Sequence, residues 1–216
     1  MQYIFLIPLC LMFGAGCLYF ENRKNPSPGL SLLMKALASA CFVVLAFLLR
    51  PECSDERVGI CLVIGACLGF LGDVTLRWFF VGGTFFFLGH AAYLAAVIPE
   101  TGTLWITCLI ASFALTAIIA SCLFTAVKVK PLLAALETVY LLSVTGTAVF
   151  GAGLFIYYPY SIGRFLFMIG GIAFLASDII LLVRIGRNSK DARSGIVLLM
   201  LYYIAQCLIA FSVPYF

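Results

Sequence analysis

Charge is scarce in this sequence. Of its 216 residues only 10% are Asp, Glu, Lys or Arg, against 64% hydrophobic. Soluble domains carry about 25% charged residues, so a soluble globular fold is excluded. Disorder is excluded too, because it needs high charge and low hydrophobicity. Histidine is scarcer still, since His90 is the only one. A zinc site built on three histidines therefore cannot form. No C-x-x-C pair, no G-x-S-x-G nucleophile elbow, no phosphate-binding P-loop and no Gly-rich nucleotide fingerprint occurs. Their absence removes the commonest redox, serine-hydrolase and nucleotide-dependent chemistries. The net charge of +4 sits in short basic clusters between apolar runs, which is the pattern of topology signals and not of nucleic-acid binding.

Apolar runs are abundant. Eight segments can be marked near 3–20, 31–49, 58–77, 81–98, 103–123, 131–150, 163–183 and 194–213. Each is long enough, at about 1.5 Å per residue, to cross a hydrocarbon core of about 30 Å. Backbone groups in lipid have no water to bond, so these segments must be helices. The strand alternation of a transmembrane barrel is missing. The expected fold is all-α, a polytopic membrane bundle of eight transmembrane helices in one domain over 1–216. Eight of nine cysteines (all but Cys53) lie inside these runs and read as small apolar packing residues. The first segment lacks a basic flank and a cleavage site, and reads as a retained helix.

Orientation follows from the basic residues. Loops after helices 1, 3, 5 and 7 hold Arg23, Lys24, Arg77, Lys128, Lys130, Arg184, Arg187, Lys190 and Arg193, whereas those after helices 2, 4 and 6 hold Arg50, Arg57 and Arg164. Odd-numbered loops are thus expected in the cytoplasm and both termini on the other side. The membrane is a bacterial inner or plasma membrane, or the endoplasmic reticulum in a eukaryote.

Ionisable residues inside spans are costly and point to function. Here they are Lys35, Asp73, His90, Glu137 and Asp178. Asp73 and Asp178 fall roughly 6–9 Å inside the expected cytoplasmic end, and Lys35 and Glu137 lie at a similar depth on helices of opposite direction. A deeper polar layer comprises His90 and Tyr93 on one helix face, Tyr140 one turn from Glu137, and Tyr202 with Gln206. Together they suggest a polar pocket opening toward the cytoplasmic leaflet. Plainer roles stay open at this stage. Asp73 and Arg77 are spaced to pair with each other, Lys35 could snorkel, and the tyrosines and Gln206 could join helices. Gly65 precedes Asp73 by the interval at which Gly170 precedes Asp178, with a small residue before each Asp (Gly72, Ser177) and a leucine after (Leu76, Leu181), which suggests an internal duplication. Two carboxylates with polar neighbours are the least equipment that general acid–base hydrolysis requires.

Further patterns share this order. Gly72-Asp73-Val74, Gly83, Phe87, His90 and Tyr93 read G-D-V…G…F…H-x-x-Y. Gly170, Phe174, Ser177 and Asp178 follow as G-x-x-x-F-x-x-S-D, and Tyr202-Tyr203-Ile204-Ala205-Gln206 closes the series. In this the chain resembles the YhhN-type lysoplasmalogenase family of membrane proteins, over helices 2 to 8. The resemblance implies hydrolysis of the vinyl-ether bond of a lysophospholipid, with Asp73 and Asp178 catalytic and no metal or organic cofactor. Lys35 and Arg77 would hold phosphate. His90, Tyr93, Glu137, Tyr140, Ser177, Tyr202 and Gln206 would line the substrate site. The expected partners are the lysolipid substrate and membrane lipid, not nucleic acid, and a homo-oligomer stays open. The alternatives are a proton-coupled transporter and a non-catalytic lipid-binding protein.

Overall fold

A computed structural model describes residues 3–127, 131–189 and 191–216. Its eight helices are α1 (Leu6–Asn22), α2 (Pro28–Leu49), α3 (Glu56–Thr75), α4 (Phe79–Val97), α5 (Trp105–Ala126), α6 (Pro131–Tyr157), α7 (Ile162–Gly186) and α8 (Ala192–Ser212). Short 3₁₀ turns at Arg50–Glu52, Pro99–Leu104 and Val213–Tyr215 complete the elements, and no strand occurs among the described residues. The all-α bundle expected from the apolar runs is the fold observed.

Seven of the helices are long and apolar enough to cross a membrane. The remaining expected span, α1, is a shorter apolar helix of 17 residues. Its apolar run is trimmed at the start, where residues 3–5 form a turn and Pro8 falls in the first helical turn, a position that needs no N–H. The expected bounds also shift elsewhere. Helix α3 stops at Thr75, so Arg77 stands in the turn before α4, while α6 runs on to Tyr157. The Gly151-Ala152-Gly153 stretch, just past the expected end of that helix, is a packing site. Gly151 lies against Phe167, and Gly153 lies against the Cys108 sulfur. Small residues there let neighbouring helices approach closely.

Three helix starts are capped as soluble helices are. Asp55 accepts from the Val58 N–H (3.0 Å), Ser161 from the Arg164 N–H (3.5 Å) and Asp191 from the Ser194 N–H (2.8 Å). Each satisfies an orphan backbone donor where the chain enters the apolar layer. Of the basic residues used to read orientation, Lys128, Lys130 and Lys190 lie outside the described residues.

Helices α3 and α4 pack as one antiparallel pair and α7 and α8 as another. Helix α2 closes on α3 and α8, α6 joins α4 to α7, and α1 lies against α2 and α8. The peripheral α5 rests on α6 and leaves Ile106, Ile110, Phe113 and Ile118 exposed, as a lipid-facing surface should. All the intramembrane ionisable groups except Lys35 are buried, and Lys35 is 19% exposed.

Candidate functional site

Asp73 occupies the last turn of α3 and is 3% exposed. Three side chains converge on its carboxylate. Lys35 Nζ lies 3.0 Å from Oδ1, Ser39 Oγ donates to Oδ2 at 2.6 Å, and the Tyr203 hydroxyl donates to Oδ2 at 3.0 Å. Lys35 and Ser39 are four apart on α2 and so share a face. Tyr203 arrives from α8. A charge removed from water is tolerable only when it is paired and hydrogen-bonded, which this set achieves. The partner is Lys35 and not Arg77, so the pairing that the i, i+4 spacing allowed is not made. The Arg77 guanidinium instead lies 5.5 Å from the centre of the Trp78 ring. Lys35, Asp73 and Arg77 line a cavity of about 240 Å³ with Cys17, Glu21 and Ser31.

Asp178 is held differently. It is 4% exposed, and its partner is the Tyr140 hydroxyl on α6, which donates to Oδ2. No ion pair to Asp178 forms among the described residues. Tyr140 lines a second cavity of about 260 Å³ between α4, α6 and α7. Its walls are Leu76, Phe79, Phe80, Phe86, Phe87, Leu133, Leu136, Val139, Leu181 and Leu182, together with Gly83, Thr84 and Glu137. Phe80, Leu136 and Val139 are also exposed on the outer surface, so this cavity is a groove facing the lipid side. The polar cavity is bounded by the end of α1 and the start of α2. The groove is bounded by the start of α6 and the end of α7. Both therefore lie at the same end of the bundle, the one read as cytoplasmic, with the end of α3 between them. Arg77 lines one and Leu76 the other.

The deeper layer is a connected wall. His90 Nδ1 pairs with Thr147 Oγ1 at 2.9 Å, the Tyr93 hydroxyl donates to Gln206 Oε1 at 2.7 Å, and the Tyr202 hydroxyl donates to the Gly69 carbonyl at 3.1 Å. Gly65 and Gly69 make room for this wall. A methyl at Gly65 would run into the Tyr93 ring, and one at Gly69 would stand 2.5 Å from Gln206 Nε2. Ring contacts lead from Tyr203 to Tyr202 (5.1 Å), Phe174 (5.4 Å), His90 (4.4 Å) and Tyr140 (6.4 Å). The partner of Asp73 thus stands at one end of an aromatic chain and the partner of Asp178 at the other. His90 Nε2 and Gln206 Nε2 are buried without a hydrogen-bond partner among the described residues.

The sequence model of the YhhN family matches residues 30–213. The chain belongs to the YhhN family. No curated protein matches the chain, and no solved structure does.

Within this YhhN-family chain the residues singled out from the sequence divide into groups. Asp73 and Lys35 form one cluster, with Arg77 on the same cavity. Tyr140 and Glu137 line the groove, and Asp178 stands behind Tyr140 as its hydrogen-bond partner. His90, Tyr93, Tyr202 and Gln206 build the wall between. Ser177 is not brought to either cavity, because its hydroxyl donates to the Leu198 carbonyl at 3.0 Å and ties α7 to α8. The two carboxylates do not share one pocket, as equal depth had suggested, since depth says nothing about position around the bundle. Ser39, Tyr203 and Thr147 were missed. Ser39 carried a usable signal, being one turn from Lys35. Tyr203 stood in the Tyr202–Gln206 series without being singled out, and Thr147 carried no signal, since Ser and Thr in spans are common and commonly bond their own helix.

Proposed function

We propose that this chain is an intramembrane hydrolase that cleaves the vinyl-ether bond of lysoplasmalogens. The products are a fatty aldehyde and glycerophosphoethanolamine or glycerophosphocholine. The observation that carries this reading is the Tyr140–Asp178 pair at the wall of a lipid-facing apolar groove. A single alkenyl chain is the ligand such a groove suits, and a hydroxyl–carboxyl pair is what its ether bond requires.

Vinyl ethers hydrolyse by proton transfer to the β-carbon. In the proposed scheme Asp178 starts protonated: the Tyr140 hydroxyl turns from Asp178 to the substrate and delivers that proton, and the Asp178 carboxyl, behind it, passes its own proton to the phenol oxygen. The carboxylate left on Asp178 then stabilises the oxocarbenium ion at the α-carbon. Water adds to that carbon and returns its proton to the pair. The hemiacetal splits, with a proton passing to the glycerol oxygen. A positioned acid of this kind contributes about 10²–10⁴-fold. The scheme uses no metal or organic cofactor.

Asp73 serves as the second carboxylate, its charge held by Lys35, Ser39 and Tyr203. It keeps the neighbouring cavity polar and open to water. Arg77, on that cavity, takes the substrate phosphate across the end of α3. Lys35 is committed to Asp73 and acts as its positioning residue. His90, Tyr93, Tyr202 and Gln206 set the wall on which Tyr140 rests.

The test is aldehyde release from an alkenyl lysophosphatidylethanolamine by purified protein in mild detergent, with a chelator present. Wild type is expected to turn over, with loss in Asp178→Asn and in Asp73→Asn. Full turnover in both variants overturns the scheme. No turnover by well-folded wild type, on ethanolamine or choline substrates, overturns the function and favours transport or lipid binding without catalysis.

A further inference from the structure

Glu137 has no task in that scheme, yet it is the most expensive residue of the groove. It is 8% exposed and lies on the groove wall, one helical turn from Tyr140. Among the described residues it makes no ion pair, and its side chain has no hydrogen-bond donor. A carboxyl group in an apolar wall is costly unless it receives a hydrogen bond. Thr84, which shares the groove, is not the donor, because its hydroxyl is spent on the Phe80 carbonyl at 2.8 Å. A ligand seated in the groove is placed to supply that donor.

The spacing says which part of the ligand it is. Three residues along α6 separate Glu137 from Tyr140 by about 4.5 Å of helix axis, on one face. On a glycerolipid with its alkenyl chain at sn-1, the sn-2 oxygen is a few bonds from the vinyl carbons. The headgroup nitrogen lies a whole phosphodiester further away, beyond that reach. Glu137 also stands on the side of Tyr140 nearer the start of α6, where the glycerol follows the chain.

We infer that Glu137 reads the free sn-2 hydroxyl of a single-chain glycerolipid and makes the groove selective for lysolipids. The inference rests on the hydrolase site proposed above and adds what decides its substrate class. In the two-chain lipid the sn-2 oxygen is acylated and has no proton to donate. A bulky acyl group would then face a buried carboxyl group.

The experiment compares alkenyl lysophosphatidylethanolamine, its choline counterpart and the sn-2 O-methyl ether of each, with kcat/KM taken from aldehyde release. Wild type should favour the free hydroxyl by about tenfold or more, the size expected when a buried acceptor is left without its donor, whichever headgroup is present. Glu137→Leu should abolish that preference, and Glu137→Gln, which keeps a carbonyl acceptor, should retain most of it. A wild type without the preference overturns the inference, even where the leucine variant folds poorly. An effect of Glu137→Leu that follows the headgroup and not the sn-2 position overturns it as well. If wild type releases no aldehyde from any substrate, the proposed hydrolysis fails on its own. Glu137 is then tested by binding of 1-O-alkyl lysophosphatidylcholine and its sn-2 O-methyl ether, read by thermal stabilisation. A preference for the free hydroxyl in wild type that is lost in Glu137→Leu upholds the inference, and equal binding of the two lipids overturns it.

Discussion

Tyr140 donates its hydroxyl to Asp178 across a separation of thirty-eight residues. The same separation divides Lys35 from Asp73, whose side chains form the ion pair. In each case the helix before the aspartate helix supplies the partner, from α2 to α3 and from α6 to α7. The glycine eight residues before each aspartate keeps the same register. The two halves thus hold corresponding carboxylates, one against a cation and one against a neutral hydroxyl. The shared spacing agrees with the internal duplication that the short sequence match suggests.

That difference in partner sets the first expectation. Asp178→Asn should lower aldehyde release by about 10²–10⁴-fold, the usual worth of a positioned acid. Tyr140→Phe should lower it too, because the scheme makes its hydroxyl the proton donor. Steady-state kinetics on folded, monodisperse protein check both. Unchanged rates in Tyr140→Phe would remove Tyr140 from the proton path.

The Lys35–Asp73 pair makes a stability prediction. Lys35→Met leaves a buried carboxylate without its cation and should destabilise the protein by about 3 kcal/mol. Replacing both partners, as Lys35→Met with Asp73→Leu, should recover part of that loss, since two apolar side chains need no pairing. Thermal unfolding in one detergent compares the three proteins.

Adjacent glycines on α4 give a matched control. A methyl at Gly82 would lie 2.7 Å from the Leu76 Cα and 3.0 Å from the Gly72 carbonyl oxygen, atoms of backbone that cannot swing away. Gly82→Ala should therefore cost about 1–3 kcal/mol. Gly83 has nothing within 4 Å of that position, so Gly83→Ala should be neutral or slightly stabilising, as Ala is the better helix former. Unfolding midpoints of the pair decide it.

Thr147 gives His90 its one hydrogen bond among the described residues. Thr147→Val keeps the shape and removes the hydroxyl, leaving both ring nitrogens of a fully buried histidine without partners. The expected cost is about 1–3 kcal/mol. Thermal unfolding measures it, and Thr147→Ser, which keeps the hydroxyl, should restore most of the loss.

A pH effect is expected at the start of α8. The Ser194 backbone N–H, and after it the Ser194 hydroxyl, hold the Asp191 carboxyl below its ordinary range. The contribution of this cap is present above the unfolded value of about 3.9 and is lost as pH falls through the lower folded value. Amide exchange in the first turn of α8 should therefore be protected near neutral pH and lose protection in acid. Asp191→Ala should show the unprotected behaviour at both.

Much of this protein was legible in its sequence because membrane helices are specified locally. A long run of apolar residues must be helical where no water can serve the backbone, and any ionisable residue inside such a run stands out by its cost. On those grounds the bundle, and Lys35, Asp73, His90, Glu137 and Asp178 as its polar interior, followed from composition and order alone. The partners did not follow. Helices apolar all round carry no stripe to say which face turns inward, so their rotation and neighbours are decided by packing between them. Only the assembled bundle chose Lys35 over Arg77 for Asp73 and brought in Ser39, Tyr203 and Thr147. Only the bundle set the two carboxylates beside separate cavities, because depth in the membrane is read along one chain and position around the bundle depends on all of it.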